Sequence, residues 1–400
     1  MDFTLSDTAR MMCDTVTRFV DQELIPLEAV IIRREAERGL EDTPLIPPEL
    51  EAGLSRKARE IGLWGIDLPE EFGGHDLGML AKCLIFERLR HSIVPFVPQP
   101  DGANFRMLQD LCRDRQVDRY LLPYARGEKS CCLALSEPGA GSDAAAIKTH
   151  AERRNGKWVL NGTKLWISNA RRADFTFVMA LTDPLADKRN AYTIFLVDRG
   201  TSGLSVPTSF PMIGEYHPYE VVLADVELDD DQVLGDVGRG FVPMSRRLGL
   251  RRLEMAAGCL GLATRCLEMM IEQARIRHTF GAPLAERQAI QWWIADSYQE
   301  IEMLRLSVYR MAWKMDQGDQ DVRLDGSLVK VQGTELIARV VDRAIQLFGA
   351  MGLSKELPLE YISRMCRVMR IVEGPSEVHR WLIARDLLRH GLPEPHCTAS

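Results

Sequence analysis

Residues Leu133 to Lys148 read LALSEPGAGSDAAAIK, and competing architectures claim them. Gly139, Gly141 and Ala144 satisfy Gly-x-Gly-x-x-Ala, the spacing of a phosphate loop joining a parallel strand to a helix. The alternative is a glycine turn within a sheet, its amides and the hydroxyls of Ser136 and Ser142 turned toward a different ligand. On its own the stretch also fits a plain turn in which Ser142 or Asp143 caps a short helix.

The residues that follow decide against the phosphate loop. KWVLNGTKLWI, from Lys157 to Ile167, reads as two extended runs joined by a hairpin turn at Asn161-Gly162. Antiparallel strands make such a turn and a parallel crossover cannot. No carboxylate ends a second strand to hold a ribose, since that region reads Leu160-Asn161-Gly162-Thr163. Pro138 also sits inside the proposed turn.

Outward from this point the chain shows three zones. From Ser6 to about Gly127 apolar residues recur at helical spacing, with Val16, Phe19, Val20, Leu24 and Leu27 on one stripe and Leu80, Leu84, Ile85 and Leu89 on another. From Lys129 to Asp236 the pattern is strand-like: FTFVMAL, YTIFLVD and YEVVLADVEL are separated by Gly, Pro and Asp clusters. After Gly240 long helical runs return, one carrying Leu253, Ala256, Ala257, Leu260, Ala263, Leu267, Met270 and Ala274 on one face. Further helices are expected over about 285–315 and 327–349, and a fourth from Pro375. The expected fold is therefore α+β and multidomain. It has an N-terminal all-α domain (1–128), a middle antiparallel β-barrel or sheet domain (129–236) and a C-terminal four-helix bundle (237–390), with a frayed tail (391–400).

Composition narrows the function class. A chain of 400 residues, 46% hydrophobic and 27% charged, is that of a folded multidomain protein. Its net charge of -7 supplies no basic field for nucleic acid. The nine cysteines are scattered without Cys-x-x-Cys pairs, which suits thiols in a reducing compartment. No metal-ligand spacing occurs among the eight histidines, so no metal site is expected. MDFTLSDTARMMCDTV is acidic and lacks an apolar segment, so neither a secretory signal nor a membrane span is expected, and the location read is cytoplasmic.

LSEPGAGSD and KLWISN resemble two signature segments of the acyl-CoA dehydrogenase family. RIRHTFGAPLAERQAI from Arg275, AIQLFGAMG from Ala344 and RIVEGPSEVHR from Arg370 resemble three more, in the same order. The resemblance runs from about Asp2 to Arg389. In its C-terminal motif it is most similar to the subgroup reading Gly-Pro-x-Glu-Val-His. It implies an FAD-dependent enzyme that removes an α-proton and a β-hydride from an acyl-CoA, giving the trans-2-enoyl-CoA and passing electrons to an electron-transferring flavoprotein. It further implies a homo-oligomer, a dimer or tetramer, in which FAD spans two subunits.

Glu373 is the expected base. It stands just before a helix that Pro375 is suited to begin. Such a helix end favours a carboxylate, and an apolar acyl chain beside it would raise its affinity for a proton. By itself, such a glutamate could simply complement a helix dipole. Gly374 lets backbone approach the ligand closely, and the Glu373 N–H is implied to hold the thioester oxygen. Other members carry their base where this chain has Arg251, which cannot serve, leaving Glu254 one turn away as the nearby rival. Arg252 matches an arginine near the thioester, and Ser142 a contact to coenzyme A.

For the flavin ring the resemblance implies Leu133, Leu135, Ser136, Trp166, Ile167 and Ser168, although a strand tryptophan is ordinarily core. For the diphosphate and adenine of a neighbouring subunit's FAD it implies Arg277, Phe280, Gln288, Gln346 and Gly349. The chain departs from the pattern at Val372, often tyrosine, at Pro375-Ser376-Glu377, usually Thr-Ser-Gln, and at Gly249, often aspartate. These changes leave the acyl group open. A same-fold oxidase, desulfinase or nitrogen hydroxylase is the competing reading, and a non-catalytic helical interaction protein is a third.

Overall fold

The computed structural model describes residues 1–213, 217–319 and 321–393. The tail expectation beyond residue 393 lies outside the described residues. In chain order the helices α1 (Asp7–Phe19), α2 (Glu28–Arg38), α3 (Pro48–Glu60), α4 (Gly78–Leu89), α5 (Gly102–Leu111) and α6 (Leu122–Ala125) come first. The strands β1 (Cys131–Ala134), β2 (His150–Arg154), β3 (Lys157–Ile167), β4 (Phe175–Leu181), β5 (Tyr192–Asp198), β6 (Leu204–Ser205), β7 (Tyr219–Leu228) and β8 (Val233–Leu234) follow. Then come α7 (Phe241–Ile276), the short pair β9 (His278–Thr279) and β10 (Ala282–Pro283), and the helices α8 (Gln288–Asp316), α9 (Arg323–Phe348), α10 (Leu359–Met369) and α11 (Ser376–His390). The helix-sheet-helix order read from the sequence is the observed one. The chain falls into two compact units: Met1–Ile32, Gly78–Val94 and Gly249–Ser400 form one, and Arg33–Leu77 and Pro95–Leu248 the other.

The first unit is helical. α9 packs against α8, α10 and α11, while α4 packs on α8 and α1 on α4. Every residue of the predicted α7 face is buried, from Leu253 to Ala274. α7 approaches α4 so closely at Gly261 that a Cβ there would meet the Glu87 carbonyl. α10 is an addition to the four helices expected, an eleven-residue amphipathic helix that buries Leu359, Tyr361, Ile362, Met365 and Cys366. Its length is close to the short end of what periodicity can resolve. Asp316, at the end of α8, caps α4 from a distance in sequence: its two carboxylate oxygens accept from Met79 N at 2.6 Å and Leu80 N at 3.0 Å.

The second unit is built on an eight-stranded sheet, ordered β6-β7-β3-β2-β4-β5-β8, with β1 also paired to β4. It is mostly antiparallel, but β1 runs parallel to β4, Cys131 opposite Phe175. Period-two alternation gives each face a core. Phe175, Phe177, Ile194 and Leu196 pack with Phe105, Leu108, Tyr120 and Tyr124 on one side. Val178, Phe195 and Val197 pack with Trp158, Leu160 and Val221 on the other.

The hairpin expected at Asn161-Gly162 is not there. β3 runs unbroken through both residues, and the turn lies six residues earlier, at Asn155-Gly156, with φ of 50° and 82°. Both central residues are left-handed, as a tight two-residue turn between antiparallel strands requires. Gly162 instead marks an irregularity in the β3–β7 register, where a Cβ would strike Thr149. The conclusion drawn from the misplaced turn still stands, since β2 and β3 pair antiparallel.

Residues 135–149 are held to this sheet by a buried ion pair. Lys164, with no exposed surface, donates from Nζ to the Leu135 carbonyl at 3.0 Å and to Glu137 Oε1 at 2.9 Å. Oε1 also accepts from Thr149 N at 2.9 Å, and Oε2 accepts from Lys148 N at 2.6 Å. Burial alone would push the Glu137 carboxyl up, but the Lys164 charge and these donors outweigh it and hold it below its ordinary 4.5. Burial likewise lowers Lys164 to about 8, against the opposing pull of Glu137.

Two outcomes follow from these contacts. Asp316→Ala leaves the first amides of α4 unpaired and costs about 1–2 kcal/mol, read as a lower urea midpoint at unchanged slope. Lys164→Met strands the Glu137 carboxylate and costs roughly 3–5 kcal/mol at pH 7. Because the folded Glu137 value is depressed, the wild-type pair stabilises above about pH 4.5 and is lost as pH falls through the lower folded value. The gap between wild type and Lys164→Met therefore narrows on acidification. A gap that stays constant with pH would dissociate the loss from the Glu137 charge.

Candidate active site

Two groups of predicted residues are each brought together within their own unit. In the sheet unit, Leu133 lies in β1 and Leu135 and Ser136 directly beyond it; all three are partly exposed. The Ser136 carbonyl accepts from Leu165 N at 2.8 Å, which sets the loop beside the end of β3. There Ile167 is buried, whereas Trp166 is 51% exposed and left-handed at φ 65°. An L-residue rarely adopts that backbone, least of all a bulky one. Its indole leans on Phe210, ring centroids 4.9 Å apart. Ser168 is exposed two residues further on. A half-exposed indole thus stands near the end of β3, with Ser168 two residues on and Ser136 paired through its carbonyl to the adjacent Leu165.

Ser142 is exposed in the same loop. The chain next makes a single 3-10 turn, Ala144–Ala146, capped by Asp143, whose carboxylate accepts from Ala145 N. The capping expected of a plain turn is therefore real, and no phosphate-loop helix follows.

In the helical unit the sharp turn Arg370–Gly374 separates α10 from α11. Glu373 and Gly374 are both left-handed, with φ of 55° and 95°. Pro375 occupies the N-cap position of α11, so Glu373 stands two residues ahead of the cap and three ahead of the first helical residue, Ser376. Arg252 reaches this turn from α7, donating from Nε to the Glu373 carbonyl at 3.1 Å. Burial lowers the Arg252 guanidinium, opposed by the charge of Glu373. A Cβ on Gly374 would come within 2.9 Å of the His379 Nε2.

The rival base is accounted for elsewhere. Glu254 is buried on α7 with one oxygen 2.5 Å from Lys82 Nζ of α4 and the other 2.6 Å from Arg251. Its carboxylate is shared by two cations, which ill suits it to collect a substrate proton.

The residues expected near diphosphate and adenine lie around three helix ends. Arg277 follows α7, its carbonyl accepting from Leu284 N at 2.8 Å. Phe280 and Gly281 form the left-handed tip of the β9–β10 hairpin, and Phe280 is 100% exposed. Arg287 fastens that hairpin by donating to the carbonyls of Thr279 and Phe280. Gln288 opens α8, while Gln346 and Gly349 lie at the C-terminal end of α9; all three are exposed.

Sequence reasoning missed four buried polar residues that root these loops: Glu137, Lys164, Lys330 and His379. For Lys330 a signal existed. It interrupts the apolar α9 face formed by Val329, Gly333, Leu336, Ile337 and Val340, and a charge within such a stripe is rarely a solvated one.

Models of the N-terminal, middle and C-terminal domains of acyl-CoA dehydrogenases match residues 6–128, 132–226 and 238–388. The (R)-benzylsuccinyl-CoA dehydrogenase of Thauera aromatica is 43% identical over 397 residues, covering 98% of each chain. Butyryl-CoA dehydrogenase from Megasphaera elsdenii superposes with a TM-score of 0.85 at 28% identity, covering 97% of this chain and all of that one. The FAD complex of PigA superposes with a TM-score of 0.84 at 28% identity, covering 97% and 99%. Family models over all three zones, and a whole-length relative of this identity, make the chain a member of the acyl-CoA dehydrogenase family.

Proposed function

We propose that this chain oxidises an acyl-CoA thioester to the trans-2-enoyl-CoA, with Glu373 taking the α-proton. The observation that carries the reading is the setting of Glu373. It is a partly buried carboxylate on a backbone fixed in a rarely adopted conformation, its carbonyl bound by Arg252. A general base must be held at one place relative to the proton it removes, and a rigid turn does this. The Glu373 N–H donates to the thioester oxygen and so stabilises the charge that develops as the α-proton leaves. Gly374 keeps that approach free of a side chain, Arg252 supplies positive charge beside the thioester, and Ser142 binds the coenzyme A portion.

The residues of the sheet unit fit a flavin. A flat heteroaromatic ring wants an apolar face and polar groups along its edge, and Trp166 with Ser136 and Ser168 offers that set. Leu133, Leu135 and Ile167 complete the contacts to the ring. When bound, FAD supplies the two-electron acceptor for the β-hydrogen. Arg277, Phe280, Gln288, Gln346 and Gly349 hold the diphosphate and adenine of a second subunit's FAD. A fully exposed phenylalanine at a hairpin tip supports this, as do exposed Trp292, Tyr298, Met303 and Leu306 on α8 and Trp381 and Leu388 on α11. We accordingly read the working form as a homo-oligomer, a dimer or a tetramer, passing its electrons to an electron-transferring flavoprotein. Eight free thiols and no membrane-crossing helix among the described residues suit a cytoplasmic setting.

Glu373 favours dehydrogenation over the desulfinase and nitrogen-hydroxylase outcomes, which have no α-proton to remove. For the acyl group we favour a thioester bearing a ring and a free carboxylate. The benzylsuccinyl-CoA relative supports this.

Anaerobic flavin bleaching tests these readings. Glu373→Gln abolishes bleaching by the best thioester of a straight-chain, branched and ring-bearing panel, while the protein stays yellow. Undiminished bleaching would remove Glu373 from the role. Fast reoxidation of the bleached enzyme by air would mark an oxidase instead. Phe280→Ala lowers the flavin-to-protein ratio without lowering the α-helical signal in circular dichroism; an unchanged ratio would argue against its FAD contact.

A further inference from the structure

The turn that carries Glu373 is held by two buried side chains that the reaction itself does not use. Lys330, on α9, has no exposed surface. Its Nζ donates to the Gly374 carbonyl at 2.7 Å and the Arg370 carbonyl at 3.2 Å. His379, on α11, is equally buried, with Nε2 3.1 Å from the Glu373 carbonyl and Nδ1 3.0 Å from Ser327 Oγ on α9. A carbonyl oxygen can only accept, so Nε2 carries the proton. Burial first, then the positive charges of Arg252 and Lys330, lowers His379 to about 4, against the bond to the carbonyl. The ring is therefore neutral at pH 7, its Nδ1 accepts, and the Ser327 hydroxyl donates.

These contacts meet a physical need. Two consecutive left-handed residues, one of them not glycine, are disfavoured and persist only where the surroundings over-determine them. Lys330 ties the two ends of the turn through one ammonium, and His379 fixes the carbonyl between them. The other charged groups around the turn are Arg252, which shares the Glu373 carbonyl, and Glu335, paired at 3.1 Å with Arg370 and at 3.4 Å with Arg380.

The geometry points to Lys330 and His379, with Ser327 setting the ring tautomer, as positioning residues that fix the backbone of the turn and thereby aim the Glu373 carboxylate. The inference rests on the reading of Glu373 as the base. Both residues act through backbone carbonyls and touch neither substrate nor flavin.

The test compares His379→Leu, His379→Gln, Lys330→Met and Glu373→Gln as FAD-loaded enzymes. Each is measured for flavin content, thermal midpoint, affinity for a non-oxidisable acyl-CoA analogue, and the rate of anaerobic bleaching against pH. A base displaced by about 1 Å costs on the order of 100-fold in rate. His379→Leu and Lys330→Met should fall by about that factor and shift the pH profile, while analogue affinity and flavin content hold. His379→Gln, which keeps a donor at that place, should recover most of the rate. A nitrogen-15 spectrum of the wild-type ring should show a neutral imidazole protonated at Nε2 at pH 7.

Wild-type rates and pH profiles in both His379→Leu and Lys330→Met would overturn the inference. So would equal losses in His379→Leu and His379→Gln that track flavin content and thermal midpoint. An active Glu373→Gln would instead strike the base assignment itself, so the two failures are distinguishable.

Discussion

Two lysines without exposed surface, Lys164 and Lys330, hold the loops that we propose carry the chemistry. They lie on unrelated elements, β3 and α9, in separate units. Each inserts its ammonium among the carbonyls of a loop: Leu135 for Lys164, Arg370 and Gly374 for Lys330. A loop cannot pair its own backbone groups as a helix or strand does, and buried carbonyls left unpaired are costly. A long side chain with three donors meets several of them from one point. Burial draws both lysines down to about 8, so each remains charged at neutral pH. Neither charge is isolated, and that is what makes the burial tolerable.

The two anchors differ in what they balance. Lys164 faces a full carboxylate, and Glu137 in turn gathers two amides, so the pair joins three stretches of chain. Lys330 faces carbonyl dipoles, and its positive charge lies on the side of the turn that carries Glu373. Ion pairs of the first kind seldom add much net stability over a well-packed apolar pair, but they tolerate few alternative arrangements. Here the arrangement matters, because the loop above Lys164 pairs with β3 at Leu165, next to Trp166, and the turn above Lys330 bears Glu373.

Much of this was legible in the sequence. The three zones, the buried face of α7, the strands β4, β5 and β7 and the helix starting after Pro375 follow from periodicity and from the residues that interrupt it. The site loops were legible by resemblance, residue by residue. Two errors have physical causes. Asn-Gly occurs twice within eight residues, and propensity alone does not say which copy turns; the copy inside β3 is a register irregularity because Thr149 packs against Gly162. α10 was missed because its eleven residues barely span three helical turns. The anchors were harder still. Lys164 sits beyond the irregularity at Gly162, where simple strand alternation no longer reports which side faces the core.

The stretch that most resembled a motif is also where the fold asks least of its glycines. Neither Gly139 nor Gly141 has a positive φ, and a Cβ on either would meet no other part of the chain. Gly162, Gly261 and Gly374 are different: each has a neighbour where its Cβ would be, and none belongs to the Gly-x-Gly pattern. Packing therefore explains glycine at those three positions and does not require it at 139 and 141. Open space there leaves room for the ligand we propose for this loop, while its base is locked by Glu137 and Lys164. At Glu373 likewise the carbonyl is fastened by Arg252 and His379, and these bonds leave the carboxylate, the base we propose, uninvolved.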